Sequence, residues 1–126
     1  MTIRLEHVNI TVTDPEKTAR MLCDLFDWKI RWHGDAINGG ITYHVGTDED
    51  YLAVYSSGRQ EEYKGEPYDL LGGLNHVGVV VEDIEAMEQR VIAAGFEPHN
   101  HADYAPGKRF YFCNGDGIEF EVVSYG

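Results

Sequence analysis

Two histidines, His7 and His76, occupy equivalent positions in two similar stretches of this sequence. A shift of 69 positions aligns residues 5–16 with residues 74–85, and six of the twelve aligned pairs are identical. An imidazole changes its charge near neutral pH and is a common metal ligand, so a repeated histidine can supply acid–base or metal chemistry. Because internal repeats dictate architecture, each stretch is predicted to begin one copy of the same structural unit.

The stretch that carries His7 is predicted to be a half-buried strand. Residues 4–12 alternate in polarity, as a strand with one polar and one apolar face does. His7 lies on the polar face. The opposite, apolar face carries Val8, Ile10 and Val12.

A helix is predicted to follow each histidine strand. Asp14-Pro15-Glu16 combines an N-cap, a proline for the first turn and an acidic residue near the positive helix end. This helix is expected to reach about Phe26. It should bury Ala19, Leu22, Leu25 and Phe26. The second helix is expected from Asp83 to about Ala94, with Gly95 beyond its end. It should bury Ile84, Met87, Val91 and Ala94.

The remaining strands complete two βαβββ modules within one domain spanning residues 1–126. Module one covers about residues 3–56, residues 57–73 form a connector, and module two covers about residues 74–126. The predicted strands are residues 4–12, 29–33, 41–45, 51–55, 74–81, 96–99, 108–113 and 118–124.

Composition narrows the class of partner. The chain carries 22 acidic against 10 basic residues and a net charge of −12, which disfavours nucleic acid and anionic membrane surfaces. No segment is apolar and long enough for a membrane span, and no leader precedes the first strand, so a cytoplasmic location is expected. Cys23 and Cys113 form no CxxC pair and are expected to be buried thiols.

Two successive βαβββ units resemble the vicinal oxygen chelate superfamily, and the resemblance covers essentially the whole chain. This superfamily includes glyoxalase I, extradiol dioxygenases, fosfomycin-resistance proteins and metal-free bleomycin-binding proteins. The markers are the two strand histidines and residues 114–121, NGDGIEFE, which are similar to the family's turn and last strand. The resemblance implies an α+β fold with a curved, cup-like mixed sheet that holds one metal and one small substrate. It also implies a homodimer.

The same resemblance implies His7, His76 and Glu121 as metal ligands. A single strand histidine is more often a packed or exposed residue. Two at repeated positions, with a carboxylate at the family's third position, favour a metal site. Two imidazoles and one carboxylate suit one divalent ion, Fe2+, Mn2+, Ni2+ or Zn2+, with open positions for substrate. If the alignment of this turn with the family's turn is wrong by two residues, Glu119 is the alternative to Glu121 as the carboxylate ligand.

The fourth family position bears on the reaction. Glyoxalase I proteins usually carry a glutamate where this chain has Ala53, and an alanine can neither bind metal nor move a proton. A three-ligand site instead resembles dioxygenases and fosfomycin-modifying enzymes. A phosphonate would need a strongly cationic pocket, however, and only Lys108 and Arg109 lie near the relevant strands.

The segment around residues 101–121 is similar to the extradiol dioxygenase signature, which implies His101 as an acid–base residue and Tyr111 as its hydrogen-bonding partner. Two features depart from the signature: Gly115 replaces the expected proline, and the gap after His101 is one residue too long. His99 has a closer spacing but the wrong preceding residue. The alternative for both histidines is an exposed loop position. Strand parity further predicts four substrate-binding residues, Asn9, Tyr51, Tyr55 and Arg109.

The sequence therefore predicts a mononuclear metal enzyme that acts on a small substrate with vicinal oxygens, dioxygenase-like rather than glyoxalase-like. Two alternatives remain: a metal-free small-molecule binding protein of the bleomycin-resistance type, and a glyoxalase I-like lyase. A shared fold hosts all of these functions and does not choose among them.

Overall fold

The computed structural model describes residues 1–126 and divides them into two compact units, Met1–Glu62 and Tyr63–Gly126. The first unit contains β1, α1, β2, β3 and β4. These span His7–Thr11, Pro15–Phe26, Lys29–Asp35, Ile41–Gly46 and Tyr51–Ser56. The strands form one mixed sheet in the order β1-β4-β3-β2, with β1 parallel to β4 and the other neighbours antiparallel. The predicted βαβββ arrangement is confirmed for this unit.

Helix α1 begins where the sequence predicted. The Asp14 side chain accepts a hydrogen bond from the Lys17 amide at 3.1 Å, and Pro15 opens the first turn, where a missing amide hydrogen costs nothing. The four residues predicted for its buried stripe are all buried. The helix ends at Asp27, whose backbone adopts the left-handed conformation and whose amide bonds the Cys23 carbonyl.

The second unit repeats this order with β5, α2, β6, β7 and β8. These span Val77–Val80, Ile84–Ala93, His99–Tyr104, Gly107–Cys113 and Glu119–Ser124. The sheet order is β5-β8-β7-β6, again with the first pair parallel. The prediction of two βαβββ modules is therefore confirmed, and each module forms a four-stranded mixed sheet with one helix. Neither helix has the length and apolar character needed to span a membrane.

Three local predictions for the second unit were wrong. Ala94 is exposed and Met87 only half-buried, because α2 is short and buries mainly Ile84 and Val91. The strand predicted over residues 96–99 instead starts at His99. Phe96 lies before this strand. Its amide bonds the Val91 carbonyl at the end of α2, and its ring packs on Phe112 in the core.

The core of the second unit is a cluster of aromatic rings on one face of its sheet. Phe112 is fully buried, with its ring centroid 5.6 Å from that of Phe96 and 5.2 Å from that of Phe120. Because side chains alternate along a strand, the residues next to Phe112 and Phe120 in the sequence point to the opposite face. Those residues form the site described below.

Tyr43 connects β3 to α1 in a way that can be tested by pH. Its hydroxyl donates to Glu16 Oε2 at 2.9 Å, and this bond raises the pKa of the phenol above 10.0. Below pH 10 the bond favours the folded state. As the pH rises through the raised pKa of Tyr43, this stabilising contribution is lost, because the tyrosine of the unfolded chain ionises first.

We expect Tyr43→Phe to be modestly less stable than wild type in urea at pH 7. The difference should shrink by pH 11. Tyr125→Phe, at an exposed position, is the control, and a difference independent of pH would contradict the assignment.

Candidate metal centre

The face of the second sheet opposite the phenylalanine core carries the polar side chains that could do chemistry. Tyr111 on β7 is paired with Glu121 on β8, and Gly78 on β5 is paired with Glu121 from the other side. His76 lies one residue before β5 and reaches the same face. Its Nε2 is 4.0 Å from Glu121 Oε1. The structure thus brings together two of the three ligands predicted from the sequence.

The orientation of His76 leaves one ring nitrogen available. Tyr68, in the segment before β5, donates its hydroxyl hydrogen to Glu119 Oε1 at 2.5 Å, and this bond raises the pKa of Tyr68 to about 12. The Tyr68 oxygen must therefore accept its bond with His76 Nδ1, 3.2 Å away. With Nδ1 bonded to Tyr68, Nε2 is the ring nitrogen of His76 that faces Glu121. Metal-binding histidines in proteins are commonly held in this way through their second nitrogen.

Glu121 is likewise held through only one of its two polar atoms. Its Oε2 accepts hydrogen bonds from Arg109 Nη1 at 3.1 Å and from the Tyr111 hydroxyl at 2.6 Å. Its Oε1 is the oxygen that faces His76. The bond to the carboxylate also raises the pKa of the Tyr111 phenol, so Tyr111 keeps its proton at neutral pH. The carboxylate is thereby fixed with one oxygen directed toward the imidazole.

Arg109 has hydrogen-bonding capacity left over. Its side chain is only 12% exposed, and Nε and Nη2 are buried without a hydrogen-bond partner. The guanidinium also lies over the Tyr104 ring, 4.8 Å from its centroid. Buried donors without partners are rare in folded proteins, so Arg109 is an unusual feature of this face of the sheet.

Gly78 leaves free space beside the carboxylate. A Cβ atom built at this position would lie 3.7 Å from Glu121 Oε1 and meet no other atom within 4 Å. The free oxygen of Glu121 is therefore flanked by bare backbone on the β5 side.

His7, the third predicted ligand, lies in the first unit on the same face of its sheet as Asn9. Its Nδ1 donates to Glu6 Oε1 at 2.9 Å, which lowers the pKa of Glu6 and leaves Nε2 with its lone pair. The ring stacks on Tyr51 at 4.8 Å between centroids. A carboxylate bonded to one ring nitrogen also orients the imidazole of many ligand histidines.

Tyr51 is the centre of an aromatic cluster in the first unit. His44 also stacks on it, at 4.6 Å, and the Arg31 guanidinium lies 4.4 Å from its centroid. Partial burial lowers the pKa of His44. No partner for His44 was predicted from the sequence, although its pairing with Ala53 places it on this face. Ala53 itself is buried, with no carboxylate at the fourth family position.

Asn9 and Tyr55 are the other two residues of the first unit that are predicted to bind substrate. Asn9 is exposed and paired with Ala53 across β1 and β4. Tyr55 donates its hydroxyl hydrogen to the Ile37 carbonyl at 2.8 Å, which anchors the turn before β3.

The structure does not bring His101 to Tyr111. His101 Nε2 lies 2.9 Å from Glu88 Oε2 on α2, and its ring stacks on the buried Phe110, on the helix side of the sheet. His99 is instead paired with Tyr111 and lies on the face of Glu121. The cause is a bulge: the pairing of β6 with β7 shifts between His99 and Ala102, where Asn100 has a positive φ of 54°.

Sequence reasoning missed Tyr68 and Cys113. Tyr68 lies in the aperiodic connector, where no pattern gives a direction to its side chain. Cys113 is exposed, not buried as predicted, and is paired with Glu119 on the same face as Tyr111. Strand parity between residues 111 and 113 could have revealed its direction.

The donor set of the second unit fits a divalent first-row metal. An imidazole nitrogen and a carboxylate oxygen face one another, and each is oriented through its other polar atom.

Comparisons with known proteins agree with this architecture. A family model described as Glyoxalase/Bleomycin resistance protein/Dioxygenase superfamily matches residues 4–122. A glyoxylase/bleomycin resistance protein/dioxygenase domain from Frankia sp. EAN1pec superposes with a TM-score of 0.81 at 21% identity, covering 100% of both chains. No curated protein sequence matches the chain.

Fosfomycin resistance proteins are also among the similar structures. FosX from Mesorhizobium loti has a TM-score of 0.73 at 20% identity, covering 98% of this chain and 92% of its own. A mutant of FosX from Listeria monocytogenes, complexed with Mn(II) and 1S,2S-dihydroxypropylphosphonic acid, has a TM-score of 0.76 at 17% identity. It covers 100% of this chain and 95% of its own. At these identities the likeness concerns the fold alone.

Proposed function

Because this chain belongs to the glyoxalase/bleomycin resistance protein/dioxygenase superfamily, we propose that it is a mononuclear divalent-metal enzyme acting on a small substrate with vicinal oxygens. One observation carries the proposal. His76 Nε2 and Glu121 Oε1 are both free and face each other at 4.0 Å, while their other polar atoms are held by Tyr68, Arg109 and Tyr111.

His76 and Glu121 would hold the metal, together with His7 as the third ligand that the sequence predicts. Two imidazoles and a carboxylate suit Fe2+, Mn2+, Ni2+ or Zn2+. The Mn(II) named for the similar FosX structure supports this set. When bound, such an ion supplies Lewis-acid polarisation of substrate oxygens.

The chain's own residues prepare the site for that substrate. Arg109 and Tyr111 fix the carboxylate of Glu121, so the ligand oxygen is positioned before substrate arrives. Tyr111 is already donating its proton to Glu121, which makes it a positioning residue. Arg109 is also proposed to donate to an anionic oxygen of the substrate, on the basis of strand parity. Asn9, Tyr51 and Tyr55 are proposed to contact substrate on the basis of strand parity.

Among the reactions of the superfamily we favour dioxygenase-like chemistry. Ala53 removes the carboxylate that glyoxalase I proteins use as a ligand and proton carrier. His99, and not His101, is the histidine of β6 that lies on the face of Tyr111. A homodimer and a cytoplasmic location complete the proposal, and light scattering of the purified protein tests the first.

The metal content of untagged protein, purified anaerobically without chelator, tests the proposal. We expect about one equivalent of divalent metal at the His76 site, and its loss in His76→Ala with the circular dichroism spectrum unchanged. His101→Ala is the matched control, because that histidine lies on the other face of the sheet and should leave the metal in place.

The result also separates the candidate functions. If the metal that is lost in His76→Ala is iron, the result would support dioxygenase chemistry. If it is nickel, zinc or manganese, the result would favour isomerase or transferase chemistry. Wild-type protein without metal, and with no uptake of Mn2+ or Fe2+ on titration, would contradict the enzyme proposal and leave a metal-free binding protein.

Tyr111→Phe tests how far the surroundings of Glu121 matter. The change deletes the 2.6 Å hydrogen bond to Oε2 but keeps the Arg109 bond. We expect Mn2+ affinity to fall by about 10-fold, at the lower end of the range for residues that orient ligands. Tyr43→Phe, which deletes another phenol–carboxylate bond in the first unit, should leave the affinity unchanged. Equal Mn2+ affinity in wild type and Tyr111→Phe would show that Glu121 needs no such support.

A further inference from the structure

A second group of potential metal ligands lies beside Tyr111 on the same face of the second sheet. It consists of His99 on β6, Cys113 on β7 and Glu119 on β8. One ligand atom from each lies within 4.8 Å of the other two. The proposed function uses none of these three residues as a ligand, and the sequence analysis names Glu119 only as the alternative to Glu121.

The backbone accounts for this proximity. Cys113 and Glu119 are direct cross-strand neighbours, and His99 is opposite Tyr111, two residues from Cys113 along β7. Residues two apart on a strand share a face, so the three side chains leave the sheet on one side. The bulge at Asn100 keeps His99, and not His101, on this side.

Each of the two ligands His99 and Glu119 has its other polar atom occupied. His99 Nδ1 donates to the Glu97 carbonyl at 3.4 Å, which leaves the lone pair on Nε2. Glu119 Oε1 accepts the Tyr68 hydroxyl at 2.5 Å, and Oε2 lies 3.8 Å from His99 Nε2. This is the arrangement in which a carbonyl or hydroxyl fixes the ligand behind the metal position.

We infer that His99, Cys113 and Glu119 form a second metal site that binds Zn2+ through one nitrogen, one sulfur and one oxygen. Tetrahedral zinc would place the nitrogen and oxygen about 3.4 Å apart and the nitrogen and sulfur about 3.5 Å apart. His99 Nε2 and Glu119 Oε2 are 3.8 Å apart and all three ligand atoms lie within 4.8 Å of one another, so side-chain rotations would bring them to these distances. Cys113 Sγ releases its proton to solvent as the metal–sulfur bond forms.

The thiolate sets the chemical class of the ion. Sulfur ligands select zinc and similar borderline or soft ions, whereas Mn2+ and Mg2+ prefer oxygen. The site leaves a fourth position open, because only three side chains converge there. The sheet face would thus carry two sites with different preferences that share Tyr68, which contacts both Glu119 and His76.

Titration of the reduced protein with Co2+, a spectroscopic substitute for Zn2+, tests the inference through the near-ultraviolet thiolate-to-cobalt charge-transfer band. We expect a band that saturates at one equivalent of thiolate-bound cobalt and is displaced by Zn2+. Cys113→Ser should abolish the band, and His99→Ala should weaken Co2+ binding at this site at least roughly 10-fold. Cys23→Ser is the matched control, since Cys23 is the other free thiol and lies on α1.

Two outcomes would overturn the inference: no charge-transfer band in wild type, or the same band in Cys113→Ser. The outcome is independent of the proposed function. His76→Ala should lose Mn2+ binding yet keep the charge-transfer band, so failure of one site can be told from failure of the other. His101→Ala, which alters a histidine on the opposite face, should keep both signals.

Discussion

Glu121→Gln is expected to bind Mn2+ more than about 100-fold more weakly than wild type, while the protein keeps its fold. Arg109 and Tyr111 both donate to Oε2, so only an acceptor can occupy that position. In the variant the amide oxygen must therefore face Arg109 and Tyr111. The amide nitrogen then takes the place of Oε1, opposite His76, and offers hydrogen where the metal needs a lone pair. Loss of a ligand should exceed the roughly 10- to 100-fold effect of losing a residue that merely orients one.

Equilibrium dialysis against Mn2+ measures this effect without interference from the proposed thiolate site, because Mn2+ prefers oxygen ligands. Glu88→Gln is the matched control. It alters another carboxylate that faces a histidine, on α2, and should bind Mn2+ as wild type does. A Glu121→Gln variant that retained wild-type affinity would remove Glu121 from the ligand set and turn attention to Glu119.

Phe112→Ala is expected to lower the free energy of unfolding by about 3–5 kcal/mol. Phe112 is 0% exposed and lies between the rings of Phe96 and Phe120, so truncation leaves a cavity that rigid neighbouring strands cannot close. Part of the cost is lost transfer free energy and part is the cavity itself. Urea denaturation at pH 7 measures the change.

Tyr125→Ala is the control for this loss of an aromatic ring. Tyr125 is 63% exposed near the end of the chain, and its truncation should change stability by no more than about 0.5 kcal/mol. A loss below about 1 kcal/mol in Phe112→Ala would mean that the ring cluster relaxes around the gap and does not hold the second unit together.

The architecture followed from local patterns that the sequence displays. Alternation in residues 4–12 and the Asp14-Pro15 start were sufficient for β1 and α1, and their repetition predicted the second unit. The placement of His76 and Glu121 on one face followed from strand parity and from the resemblance. These features depend on neighbours within a few residues, which is why a sequence reveals them.

The remaining features depend on backbone irregularities and on distant contacts. His99 and His101 are two residues apart, so regular alternation puts both on one face, yet the bulge at Asn100 sends them to opposite faces. Tyr68 reaches His76 and Glu119 from a connector without periodicity. The partners of Arg109 likewise depend on the register of β7 against β8, which no single strand encodes.

The absence of a side chain at Gly78 affects which substrates the site can accept. The bare backbone beside Glu121 Oε1 admits a methyl group in ordinary van der Waals contact, as the 3.7 Å separation shows. A branched side chain at this position would extend over the oxygen and reduce the room for a bulky substrate. Exchange of one small residue could therefore narrow the range of molecules accepted without altering any ligand, and position 78 is where we expect related chains to differ in selectivity by size.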